Sequence, residues 1–390
     1  MITIDVVTTT RAEYGLMRPL LRRMIEDTGI QMNLLVTGTH LSEKFGNTYK
    51  EIEKDGFPIA VKIPILSEFS GPVGVSYTMA NAITEFSKYF SSNKPDFVLV
   101  DGDRYETLGV CIAAVNLNVP IIHIGGGATT EGAADEYYRH SMTKMSYLHF
   151  PNTEEERNRI IQMGETPERV FTVGSLSIDN ILSIDYLSKE ELSSQLNWAL
   201  TKPFAVVTFH PVTLENSTCE KQLNELLSAC DTHQEMQFIF TKANADNGGE
   251  QINRILDEHA AHSSNAICVT SLGAVRYLSA LKHAEFVMGN SSSGIVEAPS
   301  MKIPTINIGD RQKGRLQAAS IINCSPIKDD ILSAIKKARS QEMKDICNKV
   351  SNPYGNGDTS LQIMSSIKEY VSTHNISVKK KFYNLSFAEK

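Results

Sequence analysis

Three carboxylates near glycines have the residue type that proton transfer needs: Asp103 in "DGDRYE", and Glu131 with Asp135 in "IIHIGGGATTEGAADE", residues 121–136. Proton chemistry at a carbon atom needs one group to take a proton and another to return one, and paired carboxylates in a dry cleft can be tuned for those two tasks. The same residues also suit quieter roles. Asp135 or Glu136 fits the cap of a helix over "DEYYRHSMTKMSYL", and Asp103 can close a turn with Gly102. Both readings stand on the residues alone.

A second group suits anion binding. "MGNSSSGIVEAP" (288–299) places Ser291, Ser292, Ser293 and Gly294 at a strand-to-helix turn, where free N–H groups, hydroxyls and the positive helix end can hold a phosphate. A plain N-cap with neighbouring serines is the alternative. Glu297, one turn further on, can accept from a ribose diol or simply favour the helix dipole. Arg11 in "TTTRAEYG" and Arg311 in "GDRQKGR" both follow strand-like runs, and a guanidinium offers a planar fork for two phosphate oxygens. His210 in "FHP" follows an apolar strand and can donate to a diphosphate or protonate a leaving group, although a histidine there is also a common structural residue.

Other chemistries are excluded by what is missing. GxSxG is absent, so there is no nucleophile elbow. A dinucleotide fingerprint from Gly125 would need glycine where Thr130 stands, and no Walker A motif occurs, so no nicotinamide cofactor is expected. His259 and His262 in "EHAAH" lack a third ligand, so no metal is expected. The six cysteines are scattered without a CxxC, which fits reduced thiols rather than a disulfide framework.

The elements that must position these residues alternate along the chain. Strand-like runs are "ITIDVVT" (2–8), "MNLLVTG" (32–38), "DFVLVD" (96–101), "VPIIHI" (119–124), "LHFP" (148–151) and "VFTVGS" (170–175). A second series follows at "FAVVTF" (204–209), "QFIFT" (237–241), "AICVT" (266–270), "AEFVMG" (284–289) and "PTINIG" (304–309). Helical spacing lies between them, at 12–27, 74–93, 106–117, 153–163, 218–230, 249–260, 273–282 and 329–349. Two such series imply an α/β protein of two Rossmann-like, doubly wound parallel-sheet domains facing a cleft. The expected domains are 1–178 and 179–357, with 358–390 packing back on the first. Ligands of such sheets bind beyond the carboxyl ends of the strands, where the polar and glycine-rich stretches cluster.

With 390 residues, 41% hydrophobic, 21% charged and a net charge of −7 from interspersed acids and bases, no nucleic-acid surface or membrane-binding arm is expected. Without a signal-peptide pattern or an apolar run of spanning length, it is expected in the cytoplasm.

"TTTRAEYGLMRPLL", "LLVTGTHLSEKFGNT", "DGDRYE", "DEYYRHSMTKMSYLHF", "FHPVT", "NADNGG", "GNSSSGIVEAP" and "INIGDRQKGR" resemble, in this order, the hydrolysing UDP-N-acetylglucosamine 2-epimerase family. The resemblance runs from Met1 to about residue 372. It implies the two-domain glycosyltransferase B fold, a UDP-sugar substrate, no cofactor and a homo-oligomer, dimer or tetramer. The products would be N-acetylmannosamine and UDP for sialic-acid synthesis, or the corresponding diacetamido sugar for legionaminic acid. Asp103 and Asp135 match catalytic aspartates, and His210, Ser291, Ser292, Glu297 and Arg311 match nucleotide contacts. Arg11, His40, Arg104, Arg139, Asn244, Asp246, Ser293 and Gly294 belong to the same expected substrate-binding set. One position departs: the family's "HGGE" or "EGGE" is "GGGA" here, so Ala128 stands where a catalytic glutamate is expected. Alanine cannot transfer a proton. Either Glu131 serves instead, or the chain is an inactive variant, or it binds a nucleotide sugar with little turnover.

Overall fold

Runs such as "ITIDVVT" and "FAVVT" are rich in β-branched and apolar residues, which suits strands covered on both faces. In the computed structural model these runs become inner strands of two parallel sheets. It describes residues 1–130, 134–211, 219–243, 249–270 and 272–386, so Glu131, Asn244 and Asp246 lie outside the described residues.

The chain divides into two units. The first takes Met1–Ala128, Ala134–Asn180 and the chain from Tyr354 on; the second takes Ile181–Pro353 with Thr129 and Thr130. Among the described residues the first unit has β1 (Ile2–Thr8), β2 (Ile30–Thr37), β3 (Ile59–Ile63), β4 (Phe97–Asp101), β5 (Ile121–Ile124) and β6 (Leu148–Phe150). They form a parallel sheet in the order β3-β2-β1-β4-β5-β6. The second has β7 (Phe204–Thr208), β8 (Gln237–Thr241), β9 (Ala266–Val269), β10 (Phe286–Gly289), β11 (Thr305–Ile308) and β12 (Ile321–Cys324). Its order is β12-β11-β10-β7-β8-β9, the same topology repeated. The fold is therefore α/β, with two doubly wound parallel sheets.

The helix Thr359–Thr373 belongs to the first unit. Its first backbone N–H groups are capped from a distance, Thr359 N and Ser360 N donating to Asp179 Oδ1 and Oδ2 at 2.9 and 2.7 Å. Its Ile363, Ile367 and Tyr370 join Ile4, Leu20 and Leu34 in one core.

Three expectations for the elements need correction. "VFTVGS" (170–175) is not a strand; only Val170 bridges to His149. Its neighbour β6 runs out at Pro151, which has no N–H to donate, so the ladder cannot extend. The helix expected over 329–349 is two, Lys328–Ala338 and Gln341–Lys349, because Ser340 caps the second by accepting from Met343 N at 3.2 Å. β3 and β12 had no sequence signal. β3 is an edge strand whose "IAVKI" carries little buried surface.

Candidate active site

In each sheet the order reverses once, and ligands are received beyond the carboxyl ends of the two strands at that reversal. In the first unit these are β1 and β4, which run into Thr9-Thr10-Arg11 and Gly102-Asp103-Arg104. Arg139, on the helix Asp135–Met145, organises this edge. Although only 3% exposed, its guanidinium is well met: Nε donates to Asp103 Oδ2 at 2.9 Å, Nη2 contacts the same oxygen, and Nη1 donates to the Ala128 carbonyl at 2.9 Å and to Glu136 Oε2 at 3.0 Å. One buried cation thus fixes the Asp103 carboxylate and pins the glycine turn that ends at Ala128. Gly127 in that turn has φ 78°, and a Cβ there would lie 2.5 Å from the Glu156 carbonyl oxygen, so only glycine fits.

Behind Asp103 are two buried acids that the sequence quotes but does not single out. Burial raises Asp101 to about 7, with repulsion from Asp103 adding and the Gly102 N–H subtracting. Burial likewise raises Glu13 to about 8, against the Thr9 hydroxyl and N–H, which donate to its Oε2 at 2.6 and 3.1 Å. At neutral pH this edge therefore holds a proton on Glu13 and, part of the time, on Asp101.

Asp135 is exposed at the first helical position. The N-cap is Ala134, without a side-chain cap bond, so neither Asp135 nor Glu136 caps this helix. Glu136 is engaged by Arg139 and by His140, whose Nε2 lies 2.9 Å from its Oε1. Arg11 opens the helix Arg11–Glu26 and lies 4.0 Å from Glu51 across exposed surface. Arg104 forks onto Glu106 at 2.9 and 3.1 Å. His40 is fully buried, with Nε2 3.1 Å from Thr8 Oγ1 and Nδ1 2.8 Å from Thr48 Oγ1; burial lowers it to about 4. It stays neutral, and a substrate contact would have to displace one of those threonines.

The second unit repeats the plan with β7 and β10. Asn290, which sequence reasoning missed, joins their ends: its Oδ1 accepts from His210 N at 2.7 Å and its Nδ2 donates to the His210 carbonyl at 2.9 Å. Its own carbonyl accepts from Arg311 Nη1 at 3.0 Å and Gln312 Nε2 at 2.9 Å. His210, Arg311 and the serine turn are thereby brought together around one residue. Gly289, just before it, has φ 132°, and a Cβ would meet the Thr208 carbonyl oxygen at 2.0 Å. Ser291 caps the five-residue helix Ser292–Val296, accepting from Ser293 N at 3.4 Å. Tyr277 O–H donates to Ser293 Oγ at 2.8 Å, and Ser293 O–H donates to Glu297, whose carboxyl is raised chiefly by burial. Gly294 lets Thr305 close in, where Oγ1 donates to the Gly294 carbonyl at 2.7 Å. This edge offers backbone donors, two cationic or polar side chains and an oriented carboxyl, a set suited to an anion linked to a diol.

Of the sequence candidates, Arg11, His40, Asp103, Arg104, Asp135 and Arg139 are carried by the first unit. His210, Ser291, Ser292, Ser293, Gly294, Glu297 and Arg311 are carried by the second. Asn290 had a readable signal, as the polar residue ending a strand before "SSSG"; Glu13 and Asp101 had none beyond their type. Among the described residues, no group of three His, Cys, Asp or Glu side chains is placed to hold a metal, and no helix is long and apolar enough to cross a membrane.

The chain matches the family model described as UDP-N-acetylglucosamine 2-epimerase over residues 22–368. It is 43% identical over 342 residues to the GDP/UDP-N,N'-diacetylbacillosamine 2-epimerase (hydrolyzing) of Campylobacter jejuni, covering 87% of this chain and 88% of that protein. It is 39% identical over 383 residues to polysialic acid biosynthesis protein P7 of Escherichia coli, covering 97% and 96%. A crystal structure of UDP-GlcNAc 2-epimerase from Neisseria meningitidis bound to UDP-GlcNAc shares the fold, with a TM-score of 0.81 at 17% identity over 95% of this chain and 100% of that one.

Proposed function

Because the chain belongs to the UDP-N-acetylglucosamine 2-epimerase family, we propose that it hydrolyses a UDP-activated 2-acetamido sugar with inversion at C2. The carrying observation is the Asp103–Arg139–Ala128 arrangement, in which a buried guanidinium holds a carboxylate at the reversal point of the first sheet. The leaving UDP is held by Ser291 to Gly294, Glu297, Arg311 and His210, which neutralise the charge that develops as the C1–O bond breaks. A carboxylate takes the C2 proton, and a 2-acetamidoglucal remains. Water then adds its oxygen to C1, and a proton enters C2 from the opposite face. Asp103 and Asp135 are the carriers, with Glu131 standing in for the glutamate that Ala128 replaces. Arg11, His40, Arg104, Asn244 and Asp246 complete the substrate contacts. The protein works as a homo-oligomer in the cytoplasm.

Two sugars suit this class. The Campylobacter relative, at 43% identity, favours the 2,4-diacetamido sugar. The second reading, UDP-N-acetylglucosamine, is favoured by the Escherichia coli relative, whose name places it in polysialic acid biosynthesis and which aligns over 97% of this chain. Nucleotide release measured with UDP-N-acetylglucosamine and with the UDP- and GDP-linked diacetamido sugars tests both. Release from one UDP-sugar with a C2-inverted product is expected. Tight binding of every candidate with no nucleotide release would replace the enzyme reading by a nucleotide-sugar-binding one.

A further inference from the structure

His123, on β5, is fully buried and plays no part in the proton transfers above. Its Nε2 lies 2.8 Å from the Gly102 carbonyl oxygen. A carbonyl only accepts, so Nε2 carries the hydrogen and Nδ1 is left as an acceptor. The Thr143 hydroxyl, on the helix that begins at Asp135, lies 3.4 Å from Nδ1 and donates to it. The ring also fills the floor of the glycine turn: a Cβ at Gly126 would lie 2.9 Å from both His123 Nδ1 and Thr143 Oγ1. One imidazole therefore touches the turn that carries Asp103, the turn that ends at Ala128, and the helix that carries Asp135 and Arg139.

Its surroundings keep it in one state. On β6, His149 lies beside it in register, with Nε2 3.2 Å from Glu165 Oε2. Glu165 in turn is held by Lys144 and Lys380, each at 2.7 Å. Burial lowers His123 to about 4, and His149 adds to the effect. The ring thus remains neutral, with a single tautomer fixed by its two partners.

We propose that His123 is a positioning residue, whose Nε2–H clasp on Gly102 and seat against Thr143 hold the Asp103 turn and the glycine turn in register for proton transfer at C2. This rests on the epimerase reading. Asp103 is oriented from the side by Arg139 and, through its backbone, from beneath by His123. A shift of about 1 Å in such a group costs on the order of 10²-fold in rate while leaving nucleotide affinity alone.

The test compares His123→Phe, which removes the donor, with His123→Gln, whose amide can donate to the same carbonyl. His123→Phe is expected to lower kcat about 10²-fold with KM and UDP affinity close to the parent's. Amide hydrogen exchange at 102–104 and 125–130 should rise in that variant, and His123→Gln should recover both kcat and protection. Should the Phe variant not fold, Thr143→Val, which removes the partner of Nδ1 and loosens the seat of the ring, is compared with Thr143→Ser, which keeps the hydroxyl. The same loss and recovery are expected. A folded His123→Phe protein with parental kcat and exchange overturns the proposal, as does a Gln variant no better than Phe, or equal kcat in Thr143→Val and Thr143→Ser. If the parent releases no UDP from any sugar, the epimerase reading fails by itself. The exchange comparison still decides whether His123 holds the turns.

Discussion

A carboxylate that does chemistry and one that also holds the fold differ in what their neutralisation costs. Asp135 is exposed at a helix start. Asp135→Asn should spare UDP affinity while suppressing product formation; unchanged turnover removes Asp135 from the mechanism. Asp103 faces an Arg139 that is 3% exposed, and removing its charge leaves Glu136 as that cation's one remaining carboxylate partner among the contacts above. Asp103→Asn should lose turnover and also about 1–3 kcal/mol of stability, read by calorimetry. Asp101 adds a pH signature. Its folded-state value near 7 lies above the unfolded value of 3.8, so the native state binds the extra proton and stability falls as pH rises from about 4 to 7. Asp101→Asn removes that term, so its stability relative to the parent should be greater at pH 7.5 than at pH 5. An equal difference at both values would show that Asp101 ionises normally. Asp103, His210 and Arg311 could be picked out in the sequence because they follow strand-like runs, and Asp135 because it closes the glycine-rich stretch ahead of a helical one. Asn290 and His123 could not be given their roles, because their partners, His210, Arg311, Gly102 and Thr143, are distant in sequence.

At the scale of elements, the turns carry the tightest constraints. Gly289→Ala would drive a methyl group to 2.0 Å from the Thr208 carbonyl oxygen, with φ at 132°. Gly127→Ala would drive one to 2.5 Å from the Glu156 carbonyl oxygen, with φ at 78°. Each should cost about 1–3 kcal/mol in chemical denaturation. The Gly289 change should weaken UDP binding more than the Gly127 change does, since Gly289 precedes Asn290. Equal UDP affinity in both variants would break the link between that turn and the nucleotide. Inner strands such as β1 and β7 are legible because their β-branched and apolar residues record burial on both faces. β3 was not, because an edge strand lacks that record, and "VFTVGS" misled because its apolar run packs beside β6 without completing a ladder.

For the whole molecule, the alternation of strands and helices foretold two doubly wound sheets, and both have the same reversal of strand order. Which residues meet at each reversal was only half legible, since strand order is decided by packing of helices on the sheet faces. The chain from Tyr354 belongs to the first unit, where Ile363, Ile367 and Tyr370 help fill the core and Asp179 caps Thr359 and Ser360. Truncation before Tyr354 should make the first unit protease-sensitive while 181–353 stays resistant; equal resistance of both would contradict that assignment. The proposed chemistry turns on one carbon atom, C2, and proton NMR of the reaction in deuterated water reads it directly. UDP and a free 2-acetamido sugar carrying deuterium at an inverted C2 are expected. A released sugar with its original hydrogen and configuration at C2 would contradict that chemistry.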